Sequence, residues 1–276
     1  MKLAVTIVKE AAAQVPLVLR GNYADSIRKA AEIGYDGVEL HVADPAEVDM
    51  REVGAALQAT GLEMSSIGTG LAWVRDGLSL TSRDKDIRRR AITRLQDFIH
   101  LGAEFGSVVI IGLMKGLVKE AKDRTEYDRH LSEALNACLP VARDCGATLV
   151  LEAMNRYESD TLNTIEECVR TIEKFDSANL KLHIDTYHMN IEEDRIGRNI
   201  IAAGNHIGHV HIADSNRGYP GMGHYDFAET VAALRAVGYR GSLAVECLAL
   251  PTPEIAAQGA YDAMQAIFKR NSTLSN

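Results

Sequence analysis

The sequence predicts an α/β chain closing as one (β/α)8 TIM barrel over residues 1–276, and three observations carry that expectation. Short β-branched runs alternate with longer amphipathic segments from end to end. Several of the runs are apolar throughout, as in Val108-Val109-Ile110-Ile111 and Thr148-Leu149-Val150-Leu151, the pattern of parallel strands covered on both faces. Eight such repeats share 276 residues, about 34 each, the size of one βα unit with its loops. A doubly wound open sheet shows the same alternation, but no GxGxxG phosphate loop accompanies it here.

The strands expected in order are Leu3–Val8, Gly37–His41, Glu63–Ile67, Ser107–Ile111, Thr148–Glu152, Lys181–Asp185, Gly208–Ile212 and Ser242–Glu246. Helical periodicity falls on Tyr23–Ile33, Ala46–Ala59, Ile87–Phe105, Tyr127–Arg143, Thr164–Phe175, Phe227–Val237 and Pro253–Phe268. An internal echo supports repetition. Gly34-Tyr35-Asp36-Gly37 precedes the second strand and Gly238-Tyr239-Arg240-Gly241 the eighth, in each case a glycine closing a helix and another opening a strand. The longest irregular stretches, Gly68–Ser82, Lys115–Arg124 and Ala213–Asp226, all follow strands, which in a barrel puts them on the face where active sites are built. Trp73, Tyr219 and Tyr225 in these stretches point to ordered walls or lids.

Composition narrows the function classes. The chain is 46% hydrophobic and 25% charged, ordinary for a soluble globular protein. No apolar run reaches the roughly 18 residues a membrane span needs, and Met1–Val8 is too short for a secretory signal, so a cytoplasmic enzyme is expected. The four cysteines, Cys138, Cys145, Cys168 and Cys247, have no metal or disulfide spacing and read as small apolar residues. With 30 basic and 38 acidic residues the net charge is −8, which disfavours a nucleic-acid partner. Arg88-Arg89-Arg90 runs against this, but Asp84 and Asp86 precede it, and a solvated helix face accounts for it.

The chemistry concentrates at the ends of four successive strands: Glu152, Asp185, His211 and Glu246. Strand-end side chains in a barrel converge on its axis, so these four can meet across long gaps in sequence. One such acid alone reads more readily as a buried ion-pair partner. Four together favour a dication, because burying several carboxylates without counter-charge costs several kcal/mol each. Three oxygens and one imidazole suit Mn²⁺ first, with Mg²⁺ or Co²⁺ as alternatives, and the absence of a thiolate cluster argues against structural zinc. His188 follows Asp185 by three residues, Glu158 lies on the stretch after Glu152, and Arg217 lies on the stretch after His211; together they offer donors and acceptors for hydroxyl groups. Lys115, after the fourth strand, is a candidate partner for a substrate carboxylate, against the plainer reading of a solvated surface lysine.

Glu152 with Asn155-Arg156, the block Asp185–Glu192, His211 with Ser215-Asn216-Arg217, and Glu246 resemble the ketose 3-epimerase family of the xylose-isomerase-like barrels, which includes the D-tagatose and D-psicose 3-epimerases. A likeness to the 5-keto-L-gluconate epimerases extends over nearly the whole chain. It is carried by Ile67-Gly68-Thr69-Gly70, Asp76–Thr81, Ile110–Leu113, Asn155–Glu158 and Gly223–Phe227. The resemblance implies that Glu152, Asp185, His211 and Glu246 hold one divalent metal ion and that Glu152 and Glu246 are also the acid–base pair. It implies that Glu158, His188 and Arg217 contact the sugar, with Gly68 placed on the substrate side. Inversion next to the carbonyl of a ketose or keto-sugar acid, through an enediolate, is the expected reaction. The aromatic residues such enzymes carry near the first strand have no counterpart in Val5–Val8.

Aldose–ketose isomerisation or inosose dehydration would begin from the same metal site. A metal-dependent nuclease of the endonuclease type would need more histidines and acids lined up at the strand ends and a basic face, and the nine histidines are not expected to line up so. A sugar-binding role without catalysis has no use for a carboxylate on each side of one carbon. No phosphate-cradling glycine loop follows the last two strands, which disfavours a phosphorylated substrate. Relatives of this kind commonly pair, and a homodimer or homotetramer is compatible with the chain; a membrane partner is not expected.

Overall fold

The computed structural model describes residues 1–273, so the last three positions of the expected 1–276 barrel lie outside the described residues. Nine strands run in chain order: β1 (Lys2–Val8), β2 (Leu19–Arg20), β3 (Gly37–His41), β4 (Glu63–Gly68), β5 (Val108–Ile111), β6 (Thr148–Glu152), β7 (Leu180–Asp185), β8 (Ile207–Ile212) and β9 (Ser242–Val245). Every pairing is parallel. β1 joins β3 on one side and β9 on the other, closing an eight-stranded barrel, and β2 adds a two-residue flap to the end of β1. The eight expected strands are therefore present, and the open sheet is excluded by the β1–β9 pairing.

Ten helices complete the described chain: α1 (Tyr23–Ile33), α2 (Met50–Thr60), α3 (Gly70–Asp76), α4 (Lys85–Phe105), α5 (Arg124–Cys145), α6 (Ile165–Ile172), α7 (Thr186–Glu192), α8 (Ile196–Ala203), α9 (Phe227–Ala236) and α10 (Pro253–Thr273). Local chemistry sets several of their ends. Side chains of Asn22, Asp49, Asp84, Asp123 and Asp226 accept backbone N–H groups at the starts of α1, α2, α4, α5 and α9, and Thr164 with Glu167 forms a capping box on α6. Gly34 closes α1 at φ 109°, a left-handed position that a β-carbon would disfavour.

α7 and α8 are absent from the sequence expectations. α7 is a single two-turn helix immediately after the β7 carboxylate, too short to establish a period, and Asp185 is itself its N-cap, accepting from Tyr187 N at 2.7 Å. α8 has Arg195 at its N-cap position, without a side-chain hydrogen bond, and follows an acidic run, so no start signal marks it. The stretch Gly68–Ser82 contains α3, and Lys115–Arg124 contains a short 3-10 turn at Val118–Glu120. Trp73 of α3 donates from Nε1 to Glu120 Oε1 at 3.1 Å, tying these two connections together.

Two cores result. Between barrel and helices, Leu3, Val5, Ile7, Val38, Leu40, Leu149, Leu151, Leu182 and Ile184 pack against Ile27, Leu95, Phe98, Leu131, Leu135 and Leu234, all essentially without exposure. Inside the barrel near its C-terminal end the other strand face is polar: Glu39, His41, Ser66, Glu152, His183, Asp185, His209 and His211 are buried there. The four cysteines are unbridged. Arg89 pairs with Asp86 at 3.2 Å on the exposed side of α4, so the arginine run is a solvated helix face. Among the described residues no helix is long and apolar enough to cross a membrane.

Candidate active site

Strand parity explains how the site assembles. In β7, His183 and Asp185 share one face; in β8, His209 and His211 do; in β3, Glu39 and His41 do, and in each case that face is the barrel interior. Oxygen or nitrogen atoms of Glu152, Asp185 and His211 lie within 4.8 Å of one another. His211 Nδ1 is 4.0 Å from Asp185 Oδ2 and 3.5 Å from Glu246 Oε2, so Glu246, the residue after β9, joins the group through the imidazole. The strand ends of β6 to β9 thus converge.

Asp185 Oδ2 and His211 Nδ1 are both buried and have no hydrogen-bond partner. Buried polar atoms are nearly always paired, so two orphans facing each other mark a place for a ligand. The far nitrogen of His211 shows which kind. Nε2 meets Glu39 Oε1 at 2.7 Å, and an ionised carboxylate only accepts, so Nε2 carries a hydrogen and Nδ1 is the nitrogen turned toward the carboxylates, the one that would bind a cation. An imidazole oriented by a carboxylate behind it, facing two or three carboxylate oxygens, is the donor set of a divalent cation. The residues present fit a metal ion.

Glu39 is the residue that the sequence expectations miss. It is fully buried and accepts from His41 Nε2, His209 Nε2 and His211 Nε2, each at 2.7 Å, and from the Ser66 hydroxyl at 2.5 Å. Burial works to raise its pKa, but the charge of His211 and the hydrogen bonds from the three histidines outweigh that and hold it well below the usual carboxylate range. The signal was available: Glu39 and His41 are an i, i+2 pair ending a strand, the same placement as Asp185 or His211. The expectation that the histidines do not line up is also corrected. His183, His209 and His211 offer nitrogens within 4.8 Å of one another, because their strand positions share the interior face.

Around this centre the connections bring in further groups. On α7, His188 is buried, its Nε2 3.6 Å from Glu152 Oε1 and 3.8 Å from Asp185 Oδ2. Burial disfavours its charge, but Asp185 and Glu152 outweigh this and raise its pKa. Asn155 Nδ2 donates to His188 Nδ1 at 2.7 Å and to Glu158 Oε1 at 3.1 Å, which turns the protonated Nε2 of His188 toward the carboxylates. Arg217 pairs with Glu158 and with Glu246 Oε2 at 3.4 Å, and its guanidinium lies 4.7 Å from the Tyr187 ring centroid. It is a non-glycine residue at φ 60°, held there by Asp214, whose carboxylate accepts the backbone N–H of Ser215, Gly221 and Tyr225 at 2.7, 2.8 and 3.0 Å. Burial opposes the charge of Glu246, and His211 and Arg217 together overcome it, drawing the pKa down to about 2.

A cavity of about 300 Å³ opens above these groups. Glu152, Glu158, His188, His211, Arg217 and Glu246 line one side; Val15, Pro16, Leu17, Leu71, Val74 and Leu113 line the other. Among the described residues no Phe, Tyr or Trp side chain lines it, in keeping with the lack of one near the first strand. Gly68 and Gly112 line it as well. A β-carbon on Gly68 would fall 2.2 Å from His41 Cε1, and one on Gly112 would fall 2.3 Å from Glu152 Oε2, so both positions exclude side chains to leave room for functional groups. Lys115 is a correction. It does not line the cavity, and it is not a solvated surface residue either: it is buried, its Nζ 3.5 Å from Gly112 O, because the connection after β5 coils back into the wall. Burial lowers its pKa, partly offset by Glu152.

Comparison with known proteins agrees with this geometry. The model of the family described as the xylose isomerase-like TIM barrel matches residues 27–267. The chain is 37% identical over 224 residues to an L-ribulose 3-epimerase of Mesorhizobium japonicum, covering 80% of this chain and 74% of that one. It is 31% identical over 234 residues to a D-psicose 3-epimerase of Ruminiclostridium cellulolyticum, covering 82% and 78%. A solved L-ribulose 3-epimerase superposes with a TM-score of 0.85 at 28% identity, covering 99% of this chain and 96% of that one. The chain belongs to the xylose isomerase-like TIM-barrel family, on its carbohydrate-epimerase branch.

Proposed function

We propose that this chain is a divalent-metal-dependent epimerase that inverts the carbon next to the carbonyl of a ketose, with Glu152 and Glu246 as its two acid–base groups. The observation that carries the reading is the pair of carboxylates, on β6 and just after β9, flanking the orphaned Asp185 Oδ2 and His211 Nδ1 between them. Glu152, Asp185, His211 and Glu246 would hold the ion, Mn²⁺ before Mg²⁺ or Co²⁺. Bound there, a dication supplies a Lewis-acid field that lowers the cost of negative charge on the substrate's carbonyl oxygen.

The chain's own groups do the rest. One glutamate removes the proton from the carbon beside the carbonyl, and the C–H electron pair moves into a C–C double bond as the carbonyl oxygen gains charge. The other glutamate, starting protonated, delivers its proton to the opposite face, and the centre is inverted. A single carboxylate would return the proton to the face it came from. Glu158, His188 and Arg217 hold the substrate's oxygens, and the ion pairs of Arg217 keep Glu158 and Glu246 in place.

A neutral ketose fits this cavity better than a keto-sugar acid. The lining cation, Arg217, is already shared by two carboxylates, and Lys115 is outside the cavity. The relatives' names, L-ribulose and D-psicose 3-epimerase, point the same way. The test replaces each glutamate by its amide. A positioned general base contributes about 10²–10⁴-fold, so Glu152→Gln and Glu246→Gln should each lose that much turnover at full metal occupancy, measured on the same samples. Near-full turnover of either variant with metal bound rules out the two-base scheme.

A further inference from the structure

We infer that His41 is a substrate-binding and specificity-determining residue that accepts a hydrogen bond from the hydroxyl on the carbon beyond the reacting one, C4 in a 2-ketose. The inference rests on the epimerase reading of the site and adds a residue to it.

Three observations carry it. First, His41 ends β3 on the interior face and lines the cavity, directly against the missing side chain of Gly68. Second, its tautomer is fixed. Nε2 faces Glu39 Oε1 at 2.7 Å, and because Glu39 only accepts, the single hydrogen of the neutral ring sits on Nε2 and Nδ1 is the acceptor. Nδ1 has no partner among the described residues. Third, one nitrogen of His41 and an oxygen of Glu246 lie within 4.8 Å of each other. Glu246 is assigned to the reacting carbon, so a hydroxyl within reach of both belongs to the adjacent carbon.

The location also excludes other uses. His41 lines the cavity beside Glu246, and the same cavity is lined by Val15, Leu17 and Leu71. In that largely apolar half an acceptor-only nitrogen welcomes a hydroxyl and repels a carboxylate. A site built to bond a hydroxyl rejects the analogue that lacks it, since its own polar atom is then left unpaired.

Two substitutions separate this role from the plainer one of holding Glu39. In His41→Asn the amide oxygen stands near the place of Nδ1 while the bond to Glu39 is lost. In His41→Gln the amide nitrogen can still donate to Glu39 while the cavity acceptor is lost. The probes are D-psicose and 4-deoxy-D-psicose, titrated calorimetrically into Mn²⁺-loaded protein, with epimerisation followed separately. Wild type should bind D-psicose about five- to tenfold more tightly than the deoxy sugar, the worth of one buried neutral hydrogen bond. His41→Asn should keep most of that ratio and His41→Gln should bring it near one. A ratio retained in Gln and lost in Asn, or no discrimination by wild type, overturns the inference. If the binding pattern holds but no epimer forms in any sample, the epimerase reading falls and the assignment of His41 stands. If epimer forms without the binding pattern, the reverse is true.

Discussion

The two halves of the cavity are built on opposite principles. On the side of β6 to β9, each functional group is held by another: Asn155 turns His188, Glu39 turns His211, Arg217 spans Glu158 and Glu246, and Asp214 staples the connection that carries Arg217. On the side of β1 to β5, Val15, Pro16, Leu17, Leu71, Val74 and Leu113 offer shape without direction, and His41 stands between the two sides. The difference teaches where precision is spent. Charge develops at the reacting end of the substrate, and there the protein fixes donors and acceptors in advance; the tail of the substrate needs only a dry wall of the right size.

The largest break in this contrast should come from Glu39, which does not line the cavity but holds the lining residues His41 and His211. Glu39→Gln leaves one acceptor oxygen for three imidazoles, so His211 loses both its fixed tautomer and its fixed orientation. Loss of such an outer partner typically costs 10–100-fold in metal affinity. Competition with a chelator should show a fall of that order for Mn²⁺, with the barrel still folded by circular dichroism. Unchanged affinity would mean that the polar half does not depend on its supporting layer.

A smaller effect should appear in acid. Asp214 is desolvated, which alone would raise its pKa, but the backbone N–H groups it accepts hold it below its ordinary value. A carboxyl group depressed in the folded state contributes stability above its unfolded pKa of about 3.9, and loses it as pH falls through the lower folded value. The connection bearing Arg217 should therefore stay ordered through pH 4 and loosen only below it. Amide exchange at Ser215, Gly221 and Tyr225, corrected for intrinsic rates, should rise there before exchange in the β1–β5 half does. Loosening at pH 5 would contradict the assignment.

The same contrast governs what the sequence made legible. Residues such as Glu152, Asp185, His211 and Glu246 stand out because an acid or histidine at the end of an apolar strand is costly without a purpose, and parity places its side chain. Glu39 and His41 obey that rule equally, but they lie on a strand far in sequence from the other four, so the cluster is complete only in three dimensions. The apolar wall was not legible, since Val15 or Leu113 on a connection looks like any packing residue. Lys115 failed for a related reason: position after a strand gives the correct face of the barrel, but only the coil of the following turn decides whether a side chain faces the cavity or the wall. α7 was hidden because a two-turn helix capped by a functional carboxylate leaves no period to read.

The central claim is that one dication and two glutamates act on the same substrate carbon from opposite sides. Incubation of the Mn²⁺-loaded protein with D-psicose and L-ribulose in D₂O, followed by NMR, tests it in a single reaction. The expected outcome is an inverted 3-epimer carrying deuterium at the inverted carbon, and no product after the metal is removed. An aldose product, deuterium at C1 in place of C3, or undiminished turnover by the metal-stripped protein would contradict it.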